Sequence, residues 1–182
     1  MKTQIKDKRV NFDKSLKMHL ACGDYGFTEY IYFKNGFAYA TNKKIIVKND
    51  LSICSSIRPG QIGLLNGKLL HKNDYKKILN QDVINITEEN ITCRKGDTKS
   101  VFNLVNNSYK IFNNIETFFV EKINASPVSL SDFKLSIHDM SLMNEALYNR
   151  GKLNFTFKDP TFPIIICTDE ENYCMGMIIT SL

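Results

Sequence analysis

Residues 29–50, EYIYFKNGFAYATNKKIIVKND, constrain the fold more than any other stretch of the chain. Tyr30-Ile31-Tyr32-Phe33 and Phe37-Ala38-Tyr39-Ala40-Thr41 are aromatic and β-branched runs on either side of Lys34-Asn35-Gly36. Asn-Gly between two such runs specifies a tight hairpin, because both central residues of a type I′ turn need positive φ. Ile45-Ile46-Val47 follows after Asn42-Lys43-Lys44 and extends the hairpin into a three-stranded meander.

A strand and a short helix are predicted ahead of this meander. Met1 to Asn11 reads as a strand, and Asp13 to Cys22 (DKSLKMHLAC) as a helix that Asn11 or Asp13 can cap and Gly23 can end. Leu16 and Leu20 share a face of that helix, and Lys14 and Lys17 point away from it. The order β-α-β-β-β then recurs. After a connector over residues 51–67, Lys68-Leu69-Leu70 leads into a helix over His71–Leu79 whose apolar stripe is Tyr75, Ile78 and Leu79. Strands Val83–Thr87, Ile91–Arg94 and Ser100–Val105 follow. Residues 106–125 read as a linker whose aromatic patch (Tyr109, Phe112, Phe118, Phe119) must pack somewhere, and whose Ile115–Lys122 part allows a helical turn or two. A third unit has a helix near Asp139–Asn149, with Met140, Met143, Ala146 and Leu147 inward and Ser141, Asn144, Glu145 and Tyr148 outward. Its strands are Lys152–Phe157, Pro163–Cys167 and Cys174–Ile179. The fold class is therefore α+β, with a repeat of element order rather than of sequence.

Composition excludes several functions. At 182 residues and 43% hydrophobic content the chain can bury a sizeable core. No apolar run approaches the ~18 residues that span a bilayer, and Met1–Lys6 has no apolar h-region, which points to the cytoplasm. None of the five cysteines forms a C-x-x-C pair, so buried small hydrophobes explain them better than zinc or redox chemistry. His19, His71 and His138 lack metal-ligand spacing, and the chain has no G-x-S-x-G, Walker loop or G-x-G-x-x-G. Glu88-Glu89 and Glu170-Glu171 fall in predicted turns, where solvated charge accounts for them. No enzyme and no cofactor is expected. The net charge of +5 is uneven: +6 over residues 1–60, +2 over 61–120 and −3 over 121–182. A polyanionic partner would meet the first two thirds of the chain.

This element order resembles the DNA sliding clamp, the processivity ring of bacterial replicative polymerases, in which each domain is built from two β-α-β-β-β halves. Asn35–Lys48 (NGFAYATNKKIIVK) resembles the strand-turn-strand that ends in the family's "ATDGHRL"-like motif, with Asn42 for the acidic residue and Lys43-Lys44 for Gly-His. Lys152–Leu182 resembles the end of bacterial clamps: a strand, a "P-V-L-I"-like strand at Pro163–Ile166, an acidic turn and an apolar last strand. The family's "MPMRL"-like tail helps line a groove for partner peptides; Thr180 and Ser181 depart from it.

The resemblance implies helices on one face of antiparallel sheets. It implies one complete domain over residues 1–107, a linker over 108–125 and a half-domain over 126–182. It also implies a ring interior that holds duplex DNA without reading bases, for which Lys14, Lys17, Lys76 and Lys77 are the first candidates and Lys72 and Arg9 weaker ones. Ile178, Ile179, Leu182 and Pro163 would belong to the groove through which a polymerase or another replication or repair protein docks by a short hydrophobic peptide. Three half-units per chain make four chains equal a ring of twelve, and the third unit would leave a sheet edge for another subunit, so a homo-oligomer is expected. The alternatives are a clamp-derived interaction module that does not encircle DNA, and an unrelated α+β protein.

Overall fold

The Asn35-Gly36 turn sets the register of everything around it. In the computed structural model, which describes residues 10–128, 136–148, 153–158, 164–169 and 174–179, Asn35 and Gly36 have φ of 48° and 82°. Strands β1 (Tyr30–Lys34) and β2 (Phe37–Thr41) close on this turn, and β3 (Ile45–Asp50) completes the meander. The Asp50 side chain then accepts from the Ser52 amide at 2.8 Å and starts α1 (Leu51–Cys54). Pro59 at the first helical position starts α2 (Pro59–Leu64), so the expected connector holds two short helices.

The second unit is β4 (Lys68–His71), α3 (Lys72–Ile78), β5 (Asp82–Ile86), β6 (Asn90–Lys95) and β7 (Thr98–Asn103). Its last expected strand is cut at Leu104, and β8 (Val105–Asn106) leaves to pair with β4 instead. The aromatic linker forms α4 (Lys110–Asn113) and α5 (Ile115–Asn124). The third unit supplies α6 (Ile137–Ala146), β9 (Leu153–Lys158), β10 (Ile164–Asp169) and β11 (Cys174–Ile179).

The expected helix over residues 13–22 does not form. Asp13 Oδ1 accepts from both the amide and the hydroxyl of Ser15, at 2.8 and 2.6 Å. That local turn diverts the backbone, and only a 3₁₀ turn at Met18–Ala21 follows. Phe12, Leu16, Met18 and Ala21 are all buried, a spacing that no single helical face provides. Before the turn, Phe12 bridges to Ser55; the strand expected ahead of it lies largely outside the described residues.

The strands form an eight-stranded sheet in the order β8-β4-β1-β2-β3-β11-β10-β9 and a three-stranded sheet β5-β6-β7. Alternation divides the large sheet into two faces. Ile31, Phe33, Ala38, Ala40, Ile45 and Val47 face the main core, under the 3₁₀ turn, α3 and α6, and the small sheet adds Val83, Ile91 and Phe102 to it. Tyr32, Tyr39, Leu69, Met175 and Met177 face the other way and are covered by Phe112, Ile115 and Phe119 of α4 and α5.

The third unit attaches inside the chain. β11 runs antiparallel to β3, with Gly176 opposite Val47 and Ile178 opposite Ile45. At Gly176 the packing of α6 is so close that a Cβ would lie 2.5 Å from Met143 Sδ. Buried Asn49 locks the junction: its Nδ2 donates to the Ala146 carbonyl at 3.1 Å, and its Oδ1 accepts from the Tyr148 amide at 2.7 Å. Tyr148, expected on the outer face of the helix, is buried because the chain leaves α6 in extended conformation at Leu147 and turns inward. The third unit thus joins the large sheet through β11, and its strand β9 ends that sheet.

Candidate nucleic-acid face and partner groove

The lysines singled out in the sequence come from a turn and a helix that share the α3–α6 side of the large sheet. Lys14 is exposed in the turn after Phe12. Lys17 pairs with Glu145 of α6 at 2.7 Å, a half-exposed ion pair that contributes ~1 kcal/mol or less. Lys76 is exposed, and Lys77 pairs with Asp74 one turn back at 3.1 Å. Lys72 holds the loop before the meander, donating to the Gly23 carbonyl and to Asp24 Oδ1. Arg9 lies outside the described residues.

His19 shows how closely these charges converge. Its ring is half-buried against Tyr75, and its Nδ1 is buried with no hydrogen-bond partner among the described residues. Burial first, then the nearby Lys76 and Lys17, hold its pKa below the usual 6.5, against an opposing pull from Glu145. The folded protein therefore binds fewer protons here than the unfolded chain once pH falls below 6.5. Stability from this site is complete above that pH and is lost as pH falls towards the depressed folded value. His19→Asn should flatten the loss: its urea midpoint should shift less between neutral pH and pH ~5.5 than that of the parent protein. Equal shifts would show that His19 is not the titrating group.

Burial also pushes the Cys22 and Cys93 thiols up to about 12. Cys54 and Cys174 are buried too, and none of these four is disulfide-bonded. Among the described residues no group of three or more His, Cys, Asp or Glu side chains could hold a metal ion, and no helix is long and apolar enough to cross a membrane.

On the opposite face of the sheet lies an apolar groove of about 510 Å³, within the range of ~300–1,000 Å³ usual for ligand sites. Its floor is Thr41, Ile45 and Ile46 from the β2–β3 turn region together with Met177 of β11. Ile111, Phe112, Ile115 and Phe118 of the α4–α5 segment form the wall, and Phe27 and Lys43 stand at the mouth. The turn itself is built by side chains: Asn42 Oδ1 accepts from the amides of Lys44 and Ile45, both at 2.9 Å, and Thr41 Oγ1 donates to the Ile45 carbonyl at 2.7 Å. Lys43 is thereby held at φ 77°, a left-handed conformation that disfavours a side chain. It occupies the position where the clamp motif carries glycine. Its ammonium lies 5.7 Å from the centre of the Phe27 ring.

Of the groove residues named from sequence, Ile178 is 1% exposed and packs in the main core, on the other face of β11. Ile179 is in β11, while Pro163 and Leu182 lie outside the described residues. Met177 of the same strand lines this groove, whereas the sequence favours a core role for Met175–Met177 and does not assign the α4–α5 wall. Strict alternation from Ile178 places Met177 on the groove face. The wall was visible only as an aromatic patch without a partner.

The chain superposes on the DNA polymerase III beta subunit of Thermotoga maritima with a TM-score of 0.53 at 10% identity, over 94% of this chain and 64% of that one. The fold is that of the sliding clamps. The DNA polymerase sliding clamp of Bacillus subtilis gives a TM-score of 0.55 at 8% identity, over 98% and 66% of the two chains. The Helicobacter pylori beta clamp bound to a DNA ligase peptide gives 0.52 at 9%, over 94% and 65%. The chain thus spans less than two thirds of the length of each of these clamps. No family model and no curated protein matches the sequence.

Proposed function

We propose that this chain is a non-enzymatic, clamp-like tether. It binds duplex DNA non-specifically through the lysine face and captures a polymerase or another DNA-processing protein by a short hydrophobic peptide. One observation carries the reading. The two segments whose sequences resemble clamp motifs, Asn35–Lys48 and the last strand, are far apart in the chain and meet at a single apolar groove. The H. pylori clamp of the same fold is itself bound to a DNA ligase peptide. A groove with an apolar floor and one cation at its mouth suits a peptide with two or three large apolar side chains and an acidic flank.

The test is anisotropy of a labelled peptide carrying Leu and Phe. Ile111, 54% exposed on the groove wall, can be changed to Glu without entering the core, and Ile111→Glu should weaken peptide binding at least tenfold, ~1.4 kcal/mol. Unchanged affinity would remove the groove from the function.

A ring would need further copies of the chain. The third unit joins the large sheet through β11 and ends it with β9; the second reading is an interaction module that does not encircle DNA. Light scattering on a sizing column at low and moderate salt separates the two. A discrete tetramer supports the ring, and a clean monomer supports the module.

A further inference from the structure

A second, smaller cleft of about 140 Å³ lies where the C-terminal end of α3 meets the β6–β7 turn. It is lined by Lys14, Gln81, Asp82, Arg94, Lys95 and Gly96, three cations against one carboxylate. Lys17, Lys34, Lys72 and Lys77 each have an acidic partner. Lys14, Arg94 and Lys95 have none: their side chains make no ion pair or hydrogen bond among the described residues. Arg94 stands directly across the ladder from Asp82. Three cations converging on one concavity exceed the charge of the single carboxylate that lines it, and a bound anion relieves their repulsion.

The scaffold under these cations is stiff. Lys95 and Thr98 pair across a two-residue turn in which Gly96 has φ 58°, so the hairpin tip is fixed by backbone geometry. Gln81 is tied to α3 through its Nε2, which donates to the Lys77 carbonyl at 3.4 Å. Its Oε1 is buried without a partner among the described residues and offers an acceptor for a hydroxyl or a bound water. The cleft is too small for a drug-sized ligand and suits one tetrahedral anion, with Arg94 supplying a planar fork of donors.

We infer that this cleft holds a phosphodiester of a nucleic-acid backbone, extending the lysine face past the end of α3 onto the β6–β7 turn. Asn80 and Gln81, which line the cleft, follow directly on the helix that carries Lys76 and Lys77. The inference rests on the duplex-binding part of the function proposed above, and adds Arg94 and Lys95 to it.

The experiment is anisotropy of a short labelled duplex over a salt series, for the parent chain, Arg94→Ala, Lys95→Ala and Lys110→Ala. Arg94 and Lys95 are exposed, so truncation leaves the core intact; exposed Lys110 on α4, on the far side of the sheet, controls for net charge. Each cleft variant should make the slope of log K against log salt shallower by about 0.9 and weaken binding about eightfold at ~0.1 M salt. Lys110→Ala should leave the slope unchanged. Parent-like slopes in both cleft variants, with the parent chain binding normally, would overturn the inference alone. A parent chain that binds no duplex would overturn the proposed DNA function. In that case titration with inorganic phosphate, read at the Gly96 and Gln81 amide resonances, decides the cleft itself. Shifts would reassign it to free phosphate, and their absence would remove it as an anion site.

Discussion

Charge reversal at Lys14 and Lys76, combined with Lys17→Gln and Lys77→Gln, is expected to abolish duplex binding. Glutamine is chosen at Lys17 and Lys77 because a glutamate there would face Glu145 or Asp74, with which they now pair at 2.7 and 3.1 Å. Each phosphate contact contributes about 0.9 to the slope of log K against log salt, so at ~0.1 M salt the loss of four contacts lowers affinity about 10³–10⁴-fold. Starting from a non-specific dissociation constant of ~10⁻⁴–10⁻⁶ M, nothing measurable remains. Stability should hardly change, because the ion pairs of Lys17 and Lys77 are on the surface and contribute ~1 kcal/mol or less each. Anisotropy with a labelled duplex at two salt concentrations, with urea unfolding alongside, measures both quantities. A quadruple variant that binds like the parent chain would remove the lysine face from the function.

Phe112→Ala should be the most damaging single substitution on the opposite face. Phe112 is 0% exposed, stacks on Tyr32 at 4.8 Å between ring centres, and meets Phe27 edge-on at 5.7 Å. Truncation removes the ring and leaves a cavity, a loss of about 3–5 kcal/mol. Because the α4–α5 segment covers only the Tyr32–Tyr39–Met177 face, the damage should concentrate there. The groove wall should collapse and peptide binding should vanish, while the lysine face, across the sheet, keeps its duplex affinity in the folded fraction. Phe112→Leu should cost less, about 1–1.5 kcal/mol, and keep most peptide binding. Urea midpoints and a peptide titration on both variants check this, and a Phe112→Ala protein as stable as its parent would contradict the packing.

The sequence determined whatever is settled within a few residues. Asn35-Gly36 dictated the I′ hairpin because few other pairs tolerate two positive φ values. The second unit formed almost as expected because Tyr75 and Ile78 mark one helical face and the strands after it alternate cleanly. Local pattern was misleading where a side chain captured its own backbone, as Asp13 does at Ser15. It was silent wherever two remote segments had to choose each other. Pairing of β11 with β3 sends Ile178 into the core and Met177 to the groove, and a shift of one residue would exchange them. Likewise, the aromatic residues of the expected linker find their place only after Tyr32 and Tyr39 present a second apolar face to cover. The cleft of Lys14, Arg94 and Lys95 also needs the fold, which brings Lys14 into one concavity with a pair of cations far along the chain. Local torsional preference and alternation are written in adjacent residues, whereas sheet register and convergent charge depend on long-range contacts that form only when the whole core closes.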